Sequence, residues 1–203
     1  MADPLSYETA LWNKGILRIA GVDEVGRGSL AGPVVAAVVV LPQDGFVDGA
    51  DDSKKINRQK REKLYDRIFA EATEVHFGLS SSQEIDKSNI LVATGQAMNR
   101  ALGQLSEPPD HVVVDGLPMA SLEWEHKAIV RGDGLIHSIS CASIVAKVFR
   151  DRLMGELGER YPGYGWDHNA GYGTKEHRGA IERLGISPCH RKTFLGQQYG
   201  LGI

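Results

Sequence analysis

An α/β sheet protein carrying a small helical appendage at its C-terminal end is the fold class this sequence predicts, and three observations carry the prediction. Apolar, β-branched runs alternate with segments of helical periodicity, the pattern of a sheet covered by helices. Three of those apolar runs end on acidic residues. From Gly158 the texture changes to the aromatic, glycine-rich stretch Arg160-Tyr161-Pro162-Gly163-Tyr164-Gly165-Trp166, which reads as an appendage rather than part of the sheet.

Residues 17–22 are the first predicted strand. Residues 34–41, a β-branched run typical of a buried strand, are the second, ended by Pro42 and the turn pairs Asp44-Gly45 and Asp48-Gly49. A loop over residues 51–55 leads into a helix from about Arg58, with Leu64, Tyr65, Ile68 and Phe69 on one face. Residues 74–79 form a third strand and residues 80–88 a polar connection. A longer helix follows, its Ile90, Leu91, Thr94, Met98, Ala101, Leu102 and Leu105 at 3.6-residue spacing until Pro108-Pro109 stops it. Residues 112–114 and 127–130 are two more strands, and Ile144, Val145, Val148, Phe149 and Leu153 mark a helix over about 140–157. A helix near 174–184 and a polar tail complete the chain. The expected division is a sheet domain over residues 1–157 and an appendage over 158–203.

A chain of 203 residues can bury a sizeable core, and its composition is that of an ordinary globule. The net charge of −3 gives no overall attraction to nucleic acid, so such a partner must be met by a local basic patch. Lys54, Lys55, Arg58, Lys60, Arg61 and Lys63 supply the most basic segment, which a solvated helix face would also explain. Cys141 and Cys189 are too few and too isolated for a disulfide framework or a zinc site. Residues 1–14 lack a cationic stretch followed by an apolar one, and no apolar run approaches membrane-spanning length, so the cytoplasm is the expected location.

The chain is organised around residues 17–41, where Asp23-Glu24-Val25-Gly26-Arg27-Gly28 lies between two apolar strands. Adjacent carboxylates closing a core strand need something that offsets their desolvation, and a divalent cation supplies it. Gly26 and Gly28 are expected to take positive φ and present bare N–H groups beside the acids. Gly26, Gly28 and Ala31 also fit a dinucleotide-binding G-x-G-x-x-A, but that motif needs a helix directly after the glycines, whereas Gly32-Pro33 and a strand follow here. Asp115 and Asp133 close two further strands. Either could be a turn residue beside its glycine; their common position at strand ends makes separate coincidences less convincing than one site. Oxygen ligands without His or Cys favour Mg2+ or Mn2+, and two such ions suit phosphodiester hydrolysis. Asp151 is set outside the site, because Lys147 lies one helical turn before it.

These residues resemble the prokaryotic type 2 ribonucleases H, the ribonuclease HII family. The motifs run in order: Gly21-Val22-Asp23-Glu24-Val25-Gly26-Arg27-Gly28 with Ala31-Gly32-Pro33-Val34-Val35, Asp52-Ser53-Lys54-Lys55, Asn89-Ile90-Leu91 with Ala93-Thr94, Val114-Asp115-Gly116, Gly132-Asp133, and residues 140–147 followed by Arg150-Asp151. The resemblance implies a ribonuclease H-like mixed sheet flanked by helices. It implies cleavage of RNA in RNA–DNA hybrids and of single ribonucleotides embedded in duplex DNA, 5′ to the ribonucleotide, by a monomer. It implies Asp23, Glu24, Asp115 and Asp133 as catalytic metal ligands, with Gly26, Arg27 and Gly28 sensing the ribose 2′-hydroxyl. Lys54, Lys55, Ser143 and Lys147 become phosphate contacts, and Tyr172 stacks on the deoxyribose after the ribonucleotide. Asn169-Ala170 stands where members often carry a His-Lys pair, which puts one cationic contact in doubt. No obvious clamp-binding peptide appears in residues 197–203. The competing classes are a non-catalytic hybrid-binding module and a dinucleotide-dependent oxidoreductase.

Overall fold

The computed structural model describes residues 4–196; the tail over 197–203 lies outside the described residues. Its strands are β1 (Ile19–Val25), β2 (Val34–Val40), β3 (Glu74–Ser80), β4 (His111–Asp115) and β5 (Lys127–Ile129), forming one sheet in the order β3-β2-β1-β4-β5. β2 runs antiparallel to both β1 and β3, while β1, β4 and β5 run parallel, so the sheet is mixed, as the resemblance implies. The parallel strands end at one edge of the sheet. Val22 lies opposite Val114, and this register sets Asp23 beside Asp115.

The helices are α1 (Ser6–Trp12), α2 (Arg58–Glu71), α3 (Ser82–Lys87), α4 (Ile90–Leu102), α5 (His137–Arg160), α6 (Trp166–Asn169), α7 (Lys175–Leu184) and α8 (Lys192–Leu195). Alternate residues of β2 serve opposite faces of the sheet. Val34, Ala36, Val38 and Val40 pack with Ala97, Met98 and Ala101 of α4, whereas Ala37 and Val39 pack with Leu64 and Ile68 of α2 and Ile144 and Val145 of α5. β2 is buried at every position, which is why it reads as a continuous apolar run. α5 approaches β1 so closely that a Cβ on Gly21 would lie 2.4 Å from the Ser138 carbonyl carbon. No helix of the described residues is long and apolar enough to cross a membrane.

Several elements depart from the sequence expectation. Residues 81–84, expected in a polar connection, start α3 through a capping box: the Ser81 hydroxyl accepts from the Glu84 backbone N–H, and the Glu84 carboxylate accepts from that of Ser81. α1 has no counterpart in the expectation; its buried Glu8 accepts the backbone N–H and hydroxyl of Ser138 at the start of α5. β1 continues to Val25, three residues past its expected end, so Asp23 and Glu24 are themselves strand residues paired with Ala37 and Ala36. α5 begins at His137, before its expected start near residue 140; its first ten residues are all buried and leave no one-sided apolar stripe to mark that start in the sequence. It runs to Arg160, three residues past the expected division. Beyond it, Tyr164, Trp166, Ala180, Ile181 and Leu195 share a core with Leu30, Ala31 and Met154.

Candidate metal and nucleic-acid site

Parallel strands and one tight turn bring three acids together. Asp23 comes from β1, Asp115 from the end of β4, and Asp133 from the 3-10 turn Gly132–Gly134 that precedes α5. Carboxylate oxygens from the three all lie within 4.8 Å of one another. The backbone fixes two of them: Asp23 Oδ1 accepts the Glu24 N–H at 2.7 Å, and Asp115 Oδ1 accepts the Gly132 N–H at 2.7 Å. Lys54 Nζ donates to Asp133 Oδ2 at 3.1 Å.

Burial, then the charges of Glu24 and Asp115, push the Asp23 carboxyl well above the usual range for Asp. Burial and the neighbouring Asp133 raise Asp115 in the same direction. Burial raises Glu24 too, against the opposing pull of Arg27. Crowded carboxylates of this kind are costly to ionise together unless a cation lies among them.

Glu24 is not one of the three whose oxygens lie within 4.8 Å of one another, but its charge adds to the rise of the Asp23 carboxyl and that of Asp115 adds to its own. Glu24 Oε1 accepts from Arg27 Nη1 at 3.1 Å. Its Oε2 is buried and has no hydrogen-bond partner among the described residues. A hard divalent cation fits this all-oxygen donor set and the orphaned oxygen together.

The turn after β1 needs glycine at one of its two glycine positions. Gly26 has φ +92°, and a Cβ there would lie 2.1 Å from Arg150 Nε. Gly28 corrects the expectation: its φ is not in the left-handed region, and a Cβ on it would meet open space. Its missing side chain leaves the outer surface of the turn bare. A cleft of about 570 Å³ opens beside this turn, with Arg27 and Asp115 on one side and Asn89, Leu91 and Leu117 among its other walls.

Lys54 and Lys55 project outward with their side chains 79% and 60% exposed, Lys55 reaching Asp51 at 3.2 Å. Ser143 differs from its expected role as a phosphate contact. It is 4% exposed, shares a 2.9 Å hydrogen bond with Ser53, and its hydroxyl works against the burial that raises the Asp23 carboxyl. Lys147 pairs with Asp151 at 2.7 Å, as the helical spacing predicts, and lies 5.9 Å from the centre of the Tyr172 ring. Tyr172 is half-exposed beside a cavity of about 210 Å³ that Arg58, Arg61, Lys147 and His168 also line.

Asn169 does different work from a cation. Its amide donates to the Tyr164 carbonyl at 2.7 Å and accepts from the Gly171 N–H at 2.8 Å, locking the loop before Tyr172. His168 is engaged by Asp167 and Glu176. The sequence reading misses three groups around Tyr172: buried Arg150, buried Arg191 and His177, whose Nδ1 donates to the Tyr172 carbonyl at 3.0 Å. Trp166 Nε1 donates to Nε2 of the same ring at 2.9 Å, which places the imidazole proton on Nδ1. A lone Arg or His in sequence carries no mark of burial. Only its contacts reveal the role.

Comparison with known proteins agrees with this geometry. Residues 20–196 match the family model for ribonuclease HII. The ribonuclease HII of Ruegeria pomeroyi is 52% identical over 188 residues, covering 92% of this chain and 80% of that protein. The crystal structure of the ribonuclease H2 from Pyrococcus horikoshii superposes with a TM-score of 0.74 at 27% identity, over 87% of this chain and 93% of the other. Bst-RNase HIII, crystallised in complex with Mn2+, shares the fold with a TM-score of 0.66 at 18% identity, over 91% of this chain and 68% of its own. By the family model spanning β1 to α8 and by relatives half identical over most of their length, this chain belongs to the ribonuclease HII family and is a ribonuclease H enzyme.

Proposed function

We propose that this ribonuclease H cuts the RNA strand of RNA–DNA hybrids and single ribonucleotides embedded in duplex DNA, on the 5′ side of the ribonucleotide, leaving a 3′-hydroxyl and a 5′-phosphate. The observation that carries the reading is the meeting of Asp23, Asp115 and Asp133 within 4.8 Å, directly beside the Gly26-Arg27-Gly28 turn. Asp23, Glu24, Asp115 and Asp133 would hold Mg2+ or Mn2+, two ions in the active complex. When bound, such ions neutralise charge building on the scissile phosphate and acidify a water.

The chain's own groups do the rest. The turn at Gly26, Arg27 and Gly28 offers backbone groups to the 2′-hydroxyl, the one group that separates RNA from DNA at a single position. The Glu24 N–H keeps Asp23 in place as an acceptor. Lys54, Lys55 and Lys147 meet backbone phosphates, and the Tyr172 ring receives the following deoxyribose. Residues 1–157 form the catalytic unit and 158–203 the appendage that supplies Tyr172. The enzyme works as a monomer in the cytoplasm, a setting that suits its free Cys141 and Cys189.

The test is cleavage of a duplex containing one ribonucleotide, beside an all-DNA control, with Mg2+, Mn2+ or chelator. Cutting 5′ to the ribonucleotide, only with divalent cation and only in the ribonucleotide-containing strand, is the expected result; chelator-resistant cleavage or cutting of all-DNA overturns the reading. A second measurement concerns the basic loop. Replacing Lys54 and Lys55 together by Ala is expected to weaken binding to every duplex alike and to reduce the slope of log K against log salt by about 1–2, as two phosphate contacts release fewer counterions. An unchanged slope would return both lysines to a solvated surface.

A further inference from the structure

We infer that Arg150 and Arg191 are positioning residues that set the spacing between the Gly26–Gly28 turn and Tyr172, and through that spacing the preference for a ribonucleotide followed by a deoxyribonucleotide. The inference rests on the roles proposed above for the turn and for Tyr172.

Both guanidinium groups belong to fully buried side chains, and neither meets a carboxylate within 4.0 Å among the described residues. A buried charge is costly unless it is hydrogen-bonded, and here each of the three guanidinium nitrogens donates to a backbone carbonyl. Arg150 donates to Pro33 O at 3.0 Å, Ala31 O at 3.2 Å and Ala170 O at 2.9 Å. Arg191 donates to Gly32 O at 3.0 and 2.9 Å and to Arg27 O at 2.9 Å. Thus Arg150 joins the segment after the turn to the residue two before Tyr172. Arg191, from the far end of the appendage, holds the turn itself.

Arg150 also touches both functional groups directly. Its Cζ lies 5.6 Å from the centre of the Tyr172 ring, and its Nε occupies the space where a Cβ on Gly26 would be. The two segments are stitched as well by Leu30 N–H and Ala31 N–H, which both donate to Gly171 O, at 2.8 and 3.3 Å. A Cβ on Gly171 would stand 2.6 Å from Ala31 O, so the approach admits no side chain. The surroundings are apolar: Leu30, Ala31, Met154 and Trp166 fill the same core. An apolar side chain would fill that volume at lower desolvation cost, but it could not direct planar donors at carbonyls on two segments and so hold one separation between them.

The experiment is a cycle of Arg150→Lys and Tyr172→Ala, singly and together, read as the ratio of kcat on a duplex with one embedded ribonucleotide to kcat on an all-RNA strand in a hybrid. Arg150→Lys keeps the charge and loses the fork. It is expected to lower kcat on the embedded ribonucleotide by about 10- to 100-fold, the usual consequence of misplacing a reacting group by around an ångström, with KM changed by less than about threefold. The all-RNA hybrid is expected to suffer much less. In the Tyr172→Ala background, Arg150→Lys is expected to move the ratio by less than about twofold, because residues acting through one another are not additive.

An equal loss on both substrates, or fully additive effects on the ratio, would overturn the inference while leaving the role of Tyr172 standing. If Tyr172→Ala alone leaves the ratio unchanged, the reading of Tyr172 falls and the inference with it. Arg191→Lys repeats the measurement from the other side of the spacing, with thermal melting and far-UV circular dichroism alongside. If both lysine variants fail to fold, the arginines are structural supports and the positioning role is overturned.

Discussion

Asp23→Asn abolishes cleavage, by at least about 10³-fold, while binding to an RNA–DNA hybrid survives: this is the outcome expected from the geometry. The magnitude follows from the proposed role of Asp23 as ligand to an ion that contributes several kcal/mol of charge stabilisation, at about 1.4 kcal/mol for each tenfold in rate. Asn keeps the shape of the side chain and the oxygen that accepts the Glu24 N–H. What it removes is charge. That charge is unfavourable in the metal-free protein, where burial and the neighbouring Glu24 and Asp115 hold the Asp23 carboxyl well above its usual range.

The sign of the stability change follows. A carboxyl whose folded pKa is raised makes the folded state lose stability as pH climbs from the unfolded pKa through the folded one, so near neutral pH a neutral isostere relieves the fold. Metal-free Asp23→Asn should therefore melt at a higher temperature than the parent, and Mg2+ should raise the melting temperature of the parent far more than that of the variant. Turnover near the parent's at saturating Mg2+ would remove Asp23 from the set of ligands. A lower melting temperature for the metal-free variant would show that the carboxylate is favourable where it stands.

Tyr172→Ala carries the second large effect, and it falls on selectivity. An aromatic ring stacked on a nucleotide contributes about 1–3 kcal/mol, so its loss should slow cleavage of a single embedded ribonucleotide by about 5- to 150-fold. Tyr172→Phe should retain most activity, because the proposed contact is made by the face of the ring, which Phe keeps. The ring is prepared for this: Lys147 and Arg150 lie 5.9 and 5.6 Å from its centre, and its carbonyl is held by His177. If Phe proves as damaging as Ala, the hydroxyl is the working group. If Ala slows an all-RNA strand as much as the embedded ribonucleotide, Tyr172 is a general contact and selectivity lies elsewhere.

Much of the fold is legible because local physics decides it. The uninterrupted burial of β2 writes itself as Val34-Val35-Ala36-Ala37-Val38-Val39-Val40, and the one-sided α4 writes itself at helical spacing. The capping box at Ser81 and Glu84 was equally local and was hidden only by the polarity of its segment. The start of α5 was hidden for the opposite reason, since a helix buried on all sides shows no stripe. In the site, Asp115 is legible because it ends the apolar run Val112-Val113-Val114, and Asp133 because it comes soon after the short run over 127–130.

Residue type and local order already show the character of the candidate site: acids without neighbouring His or Cys, a glycine-flanked arginine beside two of them, and a basic loop in a chain of net negative charge. Residue type and nearest neighbours are enough for that, because ligand hardness, turn preference and periodicity are properties of short segments. Tertiary structure alone decided which of those residues meet. The parallel register of β1 and β4 set Asp23 beside Asp115, and Arg27 came to bond Glu24. Burial took Ser143 out of reach of solvent and paired it with Ser53, while Arg150 and Arg191 crossed more than a hundred residues of sequence to reach Pro33 and Arg27 around the turn. Those outcomes depend on contacts between segments far apart in the chain, and no short stretch of residues encodes such a distance.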